Sequence, residues 1–488
     1  METETTQNQA AALNIPAFWK AQQKDWRITV IRTSLERLGY KIILPYLTLY
    51  IVLLGATKTQ LGLVTSLGLI ASGLIGPYIG QVIDRHGPKK VYIVGIGMDG
   101  NSTLTQQARA AIGSADCLIG AARMLEPFSA LSKPCFTSWN SGEIAGYILD
   151  SGYDKFAVLM SGDCGYFSGA EGLLMALPDS VRAEVISGIS SPVYFCGKLG
   201  IPWQDIPTVN LHGESANIAR NAAMHRRCFF LLGGKSGARE VCRRLCEYGL
   251  GGMTVHIGER LGYPQERVIS GTAEGFTDIE TDRLSVMLTE NPAPETHIRT
   301  GIPDEEFIRD KVPMTKSEVR ALVISRLGIC PGDTMWDIGC GTGSVSVEMA
   351  LQCYRGAVYS IDVKPEAAEL TRRNAVKFHC DNIIVRTGSA PGDTADFPAP
   401  DKVFVGGSGG YLRGIISAAV SRNPAAVIVI TAVSLETLHE AVESLAGQGI
   451  SAEIIQAAVT RTRKLGSHTM LAAENPVFII KGAGKCAK

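Results

Sequence analysis

A glycine-rich stretch in the second half of the chain has residue types and spacing that suit the binding of a nucleotide or an adenosyl group. In TMWDIGCGTGSVSVEMA, residues 334–350, an apolar run ends in an acid and three alternating glycines follow. Glycine lets the backbone turn sharply and approach a ligand closely, and the first N–H groups of the next helix remain free to bind it. The pattern alone predicts a loop for either a pyrophosphate or an uncharged adenosyl group. The candidate residues of this loop are Asp337, Gly339, Cys340, Gly341, Thr342 and Gly343.

A second acid narrows the choice of ligand. The next apolar run, in AVYSIDVKPEAAEL (357–370), ends at Asp362, about 20 residues after the loop, where a carboxylate can accept hydrogen bonds from both ribose hydroxyls. Together, Asp337 and Asp362 resemble the acidic positions of class I S-adenosylmethionine (SAM) methyltransferases. That resemblance favours SAM over NAD and implies that Asp337 helps to seat the methionine part.

Three further stretches narrow the resemblance. They are VPMTKSEVRAL (312–322), TGSAPGDTADFPAPDKVFVGGSGG (387–410) and LAAENPVFIIKG (471–482). Over residues 303–488 the chain resembles the decarboxylating precorrin-6 methyltransferases of cobalamin synthesis. The resemblance implies that Thr315, Gly339 to Gly343, Asp362 and Ala390 line a SAM site. It also implies that Lys316, Arg320 and Ser408 lie near a tetrapyrrole.

No proton donor for the decarboxylation is evident, and Glu318 is taken as the candidate. The basic run RTRK (461–464) is read equally well as a contact for substrate carboxylates or as a solvated edge.

A second glycine pattern opens an earlier unit. In KVYIVGIGMDGNS, residues 90–102, an apolar run leads into Gly95-x-Gly97-x-x-Gly100. An NAD site would need an acid at the end of the next strand, about 20 residues on. Asp116 instead follows a helix-like segment, in GSADCLIGA. The pattern therefore argues against NAD.

This unit resembles the tetrapyrrole (class III) methylases from residue 90 to about 293. VLMSGDCGYFS (158–168) matches a signature of that family except that Cys164 replaces proline, and TVNLHGE (208–214) matches another except that Asn210 replaces serine. The resemblance implies a second SAM site and a methylase acting at carbon 5 of the ring. His212 is read equally well as a catalytic residue or as a satisfied structural histidine. The implied SAM-binding residues are Gly95, Gly97, Gly162, Asp163 and Gly165.

Residues 28–89 have a different character. The segment 61–83 carries no charge, and about 20 such residues are enough for a helix to span a bilayer. Lysines and arginines flank both outer ends of the segment 38–83, so both ends are expected to face the cytoplasm. GQVIDRHGPKK (80–90) resembles the loop after the second helix of major facilitator transporters. The sequence predicts a transmembrane hairpin that anchors cytoplasmic catalytic domains through residues 28–83; a buried soluble helical pair is the alternative.

The composition of the chain limits which partners and metal sites can be expected. The 488 residues have 45% apolar content and zero formal net charge, so no nucleic-acid partner is indicated. The 12 cysteines are scattered without ligand spacing, so we predict reduced thiols and no metal site.

Apolar runs that alternate with amphipathic stretches predict α/β domains with parallel sheets. The predicted order is a polar tail (1–27), the hairpin (28–89), a tetrapyrrole methylase domain (90–293), a linker (294–314) and a class I Rossmann-like methyltransferase domain (315–488).

Two methylase units of different classes on one chain indicate a bifunctional enzyme. The resemblances imply SAM-dependent methylation of a precorrin or cobalt-precorrin tetrapyrrole at carbons 5 and 15, with decarboxylation of an acetate arm, and a homo-oligomeric assembly. Methyl transfer needs no catalytic metal, because the sulfonium already activates the methyl group. A SAM methyltransferase acting on another substrate, such as RNA, is one alternative. The other is a transporter fragment fused to inactive domains.

Overall fold

The computed structural model describes residues 31, 33–35, 46, 49–57, 59–60, 62–63, 66, 89–212, 217–233, 237–297 and 299–484. By its internal contacts the chain divides into two units, Met1–Lys89 and Lys90–Lys488. About two thirds of the predicted hairpin at 28–83 lies outside the described residues. Among those that are described, no helix has the length and apolarity needed to cross a bilayer.

The second unit begins with a parallel sheet. Its strands are β1 (Lys90–Gly95), β2 (Cys117–Gly120), β3 (Cys135–Thr137), β4 (Lys155–Met160) and β5 (Arg182–Ile186). Their order across the sheet is β3-β2-β4-β1-β5, and all neighbours run parallel. The central strands read as nearly continuous apolar runs because both faces are covered. The helices between them are α1 (Gln106–Ser114), α2 (Ala122–Leu125), α3 (Ser141–Asp150) and α4 (Ala170–Ala176).

A mixed sheet follows. Its strands are β6 (Thr208–Asn210), β7 (Arg227–Leu231), β8 (Thr254–Glu259), β9 (Arg267–Thr272) and β10 (Ser285–Glu290), in the order β6-β7-β10-β8-β9. Only β6 and β7 pair in parallel. The prediction of parallel sheets throughout is wrong here, because the short connection between β8 and β9 cannot hold the crossover that parallel neighbours need. The associated helices are α5 (Ser191–Leu199), α6 (Ile218–Met224) and α7 (Ala238–Glu247).

The carboxy-terminal sheet has seven strands. They are β11 (Thr334–Ile338), β12 (Ala357–Asp362), β13 (Ile383–Thr387), β14 (Lys402–Val405), β15 (Val427–Ala432), β16 (Ala452–Ala457) and β19 (Val477–Ala483). Their order is β13-β12-β11-β14-β15-β19-β16, and β19 runs antiparallel to both of its neighbours. A separate ribbon pairs β17 (Thr460–Leu465) with β18 (His468–Ala473). The helices are α8 (Ser317–Leu327), α9 (Ser344–Gln352), α10 (Pro365–Lys377), α11 (Leu412–Arg422) and α12 (Leu435–Ala446).

The segment predicted to be a linker, residues 294–314, is in part a packed element of the carboxy-terminal domain. Ile302 and Phe307 are buried in one hydrophobic cluster with helix α8 and strand β11. The backbone N–H groups of Gly301 and Ile302 donate to the two carboxylate oxygens of Glu348, at 2.8 and 2.9 Å. This segment leads directly into residues 312–316, so its packing helps to fix the loop that enters the carboxy-terminal site.

Candidate functional site

A large cleft lies at the carboxyl edge of the carboxy-terminal sheet. The strand order reverses between β11 and β14, and open α/β sheets bind ligands in the crevice outside such a reversal. The cleft here has a volume of about 980 Å³. The sequence-predicted residues that line it are Thr315, Lys316, Gly339, Cys340, Gly341, Asp362, Ala390 and Ser408.

The glycines of the first loop are required by close packing. Gly339 has a φ of 74°, and a Cβ there would lie 2.7 Å from backbone atoms of Gly407. Gly341 has a φ of 57°, and its Cβ would lie 2.8 Å from the carbonyl oxygen of Pro313. Side chains at these positions would be both strained and obstructed. The loop after β11 is thus held between the loop after β14 and the segment before α8.

Asp362 is fixed at the end of β12 with its carboxylate facing the cleft. One carboxylate oxygen accepts a hydrogen bond from the Gly341 N–H and the other from the Lys364 N–H, each at 3.0 Å. The side chain remains partly exposed. A fixed carboxylate beside the glycine loop is suited to accept hydrogen bonds from a diol such as a ribose.

Three predicted loop residues do not line the cleft. Asp337 is fully buried, where its carboxylate accepts a hydrogen bond from Ser346, and one of its oxygens has no partner. Burial raises the pKa of Asp337 to about 7. Thr342 is buried, and Gly343 packs against Thr371. Asp337 therefore supports the loop from its buried side and does not line the cleft, whereas the resemblance implies that it helps to seat the methionine part.

Arg320 is likewise a supporting residue and is not part of the cleft wall. It has no exposed surface, and its guanidinium pairs with the buried Glu348. It also donates to the carbonyl oxygen of Thr315 at 2.6 Å and to that of Ile302. Arg320 thus ties the incoming segment to the backbone of a cleft residue. The prediction that it lies beside a tetrapyrrole does not agree with this burial.

Lys316 and Glu318 have different surroundings although they are neighbours in sequence. Lys316 lines the cleft, and its Nζ lies 3.5 Å from the buried carboxylate of Asp304. Glu318 is exposed and lies outside the cleft lining, where it accepts a hydrogen bond from Arg461 of the RTRK run. That hydrogen bond is the largest influence lowering the pKa of Glu318. A carboxyl group that holds its proton so weakly is poorly suited to be the proton donor.

Sequence reasoning missed several polar residues of the cleft. Most of them follow the carboxyl ends of strands, where open α/β sheets bind ligands, so this rule could have identified them. Glu474 and Asn475 instead follow the ribbon strand β18. These cleft-lining residues are Ser344, Lys364, Ser389, Tyr411, Thr431, Thr437, Glu474 and Asn475.

A smaller pocket of about 240 Å³ lies between the two amino-terminal sheets. Gly162 and His212 are the predicted residues that line it. Three arginines and a tyrosine also line it and were not predicted as site residues, because they come from segments that are distant from one another in sequence. They are Arg123, Arg260, Tyr263 and Arg283.

The other predicted residues of this domain build the backbone beneath the pocket. Gly97 and Gly162 exchange two backbone hydrogen bonds, of 3.0 and 2.9 Å. A Cβ on Gly95 would lie 2.6 Å from the backbone nitrogen of Gly188. The Asp163 carboxylate accepts hydrogen bonds from the N–H groups of Gly165 at 2.8 Å and Gly188 at 2.9 Å. These contacts hold three strand ends together, and of the residues that make them only Gly162 also lines the pocket.

His212 is positioned within the pocket by two neighbours. Its Nδ1 lies 3.2 Å from the amide oxygen of Asn210, and a Cβ at Gly233 would lie 2.3 Å from the imidazole ring. Burial lowers the pKa of His212. The neutral imidazole is thus favoured near pH 7, so His212 is suited to accept a hydrogen bond or a proton.

Arg123 is held in place by two polar neighbours. It donates to the hydroxyl oxygens of Tyr263 at 2.9 Å and Ser161 at 3.3 Å. Arg260 donates to Asp282 at 2.8 Å. Arginine binds carboxylates well because its planar fork can donate two hydrogen bonds at once. The pocket is therefore suited to a ligand that carries several carboxylates.

Cys164, which replaces proline in the family signature, is a structural thiol. It is buried and donates to the carbonyl oxygens of Ile93 and Ile186, both at 3.4 Å. Burial raises the pKa of its thiol to about 12. In the described part of the chain, no group of three or more His, Cys, Asp or Glu side chains is arranged to hold a metal ion.

Two family models match the chain, one in each domain. The model described as "Tetrapyrrole (Corrin/Porphyrin) Methylases" matches residues 90–277. The model described as "Precorrin methyltransferase domain" matches residues 305–482.

Individual relatives extend these matches. The chain is 31% identical to a precorrin-6Y C(5,15)-methyltransferase [decarboxylating] from Sinorhizobium sp, over 67% of this chain and 80% of that protein. It is 47% identical to a "probable cobalt-precorrin-6B C(15)-methyltransferase (decarboxylating)" from Pyrobaculum calidifontis, over 37% of this chain and 94% of that protein. A solved precorrin-6y C5,15-methyltransferase from Geobacter metallireducens GS-15 is 39% identical over 38% of this chain and 97% of that chain, with a TM-score of 0.36.

Proposed function

This chain belongs to the family of decarboxylating precorrin methyltransferases, and from that premise we propose that it methylates a precorrin-6-type tetrapyrrole at carbons 5 and 15 and removes CO2 from an acetate arm. It is a SAM-dependent methyltransferase of cobalamin biosynthesis. The observation that carries the proposal is the presence of two pockets in two domains, each domain matching a different methylase family.

In the carboxy-terminal cleft, the residues present fit a SAM molecule. Asp362 would accept hydrogen bonds from the ribose, while the backbone of Gly339 to Gly341 would lie against the methionine part. Thr315 and Ala390 would contribute to the walls of the same site. The volume of about 980 Å³ leaves room for part of a tetrapyrrole beside SAM, since ligand pockets commonly measure about 300–1,000 Å³.

Lys316 and Ser408 would face the tetrapyrrole in this cleft. Lys316 carries the positive charge needed to attract a substrate carboxylate, and the buried Asp304 holds the amine at the cleft wall. We assign Arg320 a positioning role, because it holds the Thr315 carbonyl. Glu318 is a weaker candidate for the proton donor than its place in the sequence suggested. Glu474 lines the cleft and is the better-placed carboxyl group.

In the amino-terminal pocket, the arginine cluster would receive the carboxylates of the same ring. Gly162 would lie against SAM through its backbone, and His212 would contact the substrate from the opposite sheet. An ordered array of arginines can set the orientation of a ring that carries many carboxylates. That orientation decides which ring carbon faces the methyl group.

The residues have a simple chemical task in both sites. When bound, SAM supplies a methyl group that its sulfonium has already activated. The chain has to hold a ring carbon behind that methyl group, with the reacting atoms about 3–3.5 Å apart. In the carboxy-terminal cleft, apolar walls such as Ile338 and Ile430 would exclude water from the acetate carboxylate, which favours loss of its charge as CO2.

Incubation of the full chain with SAM and precorrin-6Y tests this function. We expect release of CO2 and a product that has gained two methyl groups. A protein that binds SAM but leaves the tetrapyrrole unchanged would contradict the proposal. A product with one methyl group and no CO2 release would confine the activity to the amino-terminal pocket.

A further inference from the structure

The two methylase domains meet at a polar junction. Asp381, in the loop before β13, has a side chain only 1% exposed. Its carboxylate oxygens accept hydrogen bonds from the N–H groups of Ala219 at 2.9 Å and Arg220 at 3.1 Å, at the start of helix α6. The amide of Asn217 donates in turn to the carbonyl oxygens of Tyr354 at 2.6 Å and Gly356 at 3.0 Å. Each domain therefore satisfies buried polar groups of the other.

Ion pairs extend the same junction. Glu295 accepts a hydrogen bond from Arg220 at 2.6 Å and lies 2.7 Å from Nδ1 of His379. Arg244 donates to the carbonyl oxygen of Asp381 at 3.2 Å. Separating the domains would leave a desolvated carboxylate and an arginine without partners until water replaced them, so the junction favours one fixed arrangement.

This junction lies at the amino-terminal ends of the strands in the carboxy-terminal sheet, whereas the cleft lies at their carboxyl ends. Tyr354 and Gly356 come just before β12, and Asp381 comes just before β13, whereas Asp362 ends β12 and Gly388 follows β13. The two strands run in parallel. Strands of this length, at about 3.3 Å per residue, separate the two edges by roughly 17–20 Å. The cleft therefore does not open toward the surface that contacts the methylase domain.

We infer that the two sites of one chain do not share an enclosed chamber, so that the tetrapyrrole processed at one site is released to solution before the other site binds it. This inference rests on the proposed function. A one-domain relative supports it: the Pyrobaculum calidifontis protein matches only 37% of this chain yet is covered over 94% of its own length. A domain of this kind exists without an attached methylase domain to deliver its substrate.

Two variants allow the inference to be tested in the full chain. Asp362→Ala removes the fixed carboxylate of the cleft. Gly162→Val places a β-branched side chain at a φ of 69° on the pocket lining, which strains the backbone and obstructs the amino-terminal site. Each variant is first incubated alone with SAM and precorrin-6Y, and the protein-free filtrate is analysed by mass spectrometry.

We expect the variant that keeps the site acting first to release its product, a tetrapyrrole modified at one site only, into the filtrate. Adding the other variant in equal amount should convert it to the doubly methylated, decarboxylated product. The wild-type chain should release the same intermediate early in the reaction. The inference is overturned if the mixture stops at the intermediate while the wild-type chain completes the conversion with none in the filtrate. If the wild-type chain performs neither reaction, the proposed function fails instead.

A junction variant gives a second test that does not inactivate either site. Asp381→Ala removes the carboxylate that α6 and Arg244 bind, and Asp381→Asn is the matched control that retains one acceptor oxygen. We expect faster amide hydrogen exchange in residues 218–224 of Asp381→Ala, with no loss of overall conversion. A loss of overall conversion with both half-reactions intact would show that the fixed arrangement transfers the intermediate, and would overturn the inference.

Discussion

Three acidic side chains that look equivalent in the sequence have different roles in the structure. Asp362 faces the cleft and is held by two backbone N–H groups. Asp337 is enclosed behind the glycine loop, and Glu318 is engaged by Arg461 on the surface. Strand ends and loop spacing, which are local patterns, predicted where Asp337 and Asp362 lie, whereas Glu318 was only a candidate taken from a family-like stretch. The sequence could not predict the direction of each side chain, since that depends on partners far away in sequence, such as Arg461.

The role of Asp362 can be tested by substitution. Asp362→Ala should weaken SAM binding at the carboxy-terminal site roughly 100- to 10,000-fold, because it removes hydrogen bonds from two ribose hydroxyls and each bond to a charged group contributes about 1.5–3 kcal/mol. Methylation by the amino-terminal site should be unaffected. Asp362→Asn, which keeps one acceptor oxygen, should have a smaller effect. Equal loss of both methylations would contradict the assignment of Asp362 to a single site.

Asp337 should make the stability of its strand depend on pH. Burial raises its pKa from 3.8 to about 7, so the folded state binds the proton more tightly than the unfolded state. Its contribution to stability is therefore fully present below pH 4 and is lost as pH rises through 7. A shift of about three units corresponds to about 4 kcal/mol. Asp337→Asn should gain stability relative to the wild type over this range.

Amide hydrogen exchange of the strand Thr334–Ile338 measures the effect of Asp337 locally. The difference in protection between Asp337→Asn and the wild type should grow in favour of the variant from pH 4 to pH 8. Ser346→Ala provides a comparison, because it removes the hydroxyl that donates to the carboxylate and leaves the carboxylate in place. A difference that stays constant with pH would show that Asp337 does not titrate in this range.

At the scale of elements, the apolar runs predicted strands but not their directions. The runs at 229–234 and 267–272 become β7 and β9, yet both pair antiparallel with a neighbour. A short apolar run looks the same in either direction, so only the length of the connections distinguishes the two arrangements. The loops after strands were predicted better, because glycine is needed where two backbones approach closely, as at Gly339, whose Cβ would lie 2.7 Å from the Gly407 backbone.

The close approach of these two loops predicts a severe effect for Gly339→Ala. The new Cβ would lie 2.7 Å from the Gly407 backbone at a positive φ, so the loop must shift. We expect SAM affinity at this site to fall at least about tenfold, equivalent to about 1.4 kcal/mol. Gly332→Ala is the matched control, since its Cβ meets no atom within 4 Å. Equal affinities for the two variants by equilibrium titration would refute the packing argument.

At the scale of the whole molecule, the sequence predicted two methylase domains but not how they meet. The junction depends on single polar residues, such as Asn217 and Asp381, that belong to no signature. Part of the predicted linker proved to be packed, because Ile302 and Phe307 supply enough apolar surface to join the neighbouring core. The hairpin at residues 28–83 stays a prediction, since about two thirds of these residues lie outside the described part of the chain.

Removal of residues 1–89 tests whether the first unit contributes to the enzyme. The contacts divide the chain between Lys89 and Lys90, and both family matches begin at or after residue 90. We therefore expect the truncated protein to retain both methylations and the release of CO2, assayed with SAM and precorrin-6Y. If the truncated protein folds, as judged by circular dichroism, yet loses both activities, the first unit is part of the catalytic machinery.

The most direct test of the account is the number of SAM molecules that one chain binds. Isothermal titration calorimetry of the full chain with S-adenosylhomocysteine, the product of methyl transfer, measures this number without turnover. The account predicts two sites per chain, reduced to one by Asp362→Ala and to one by Gly162→Val. A single site in the wild-type chain, or the loss of both sites in either variant, would contradict it.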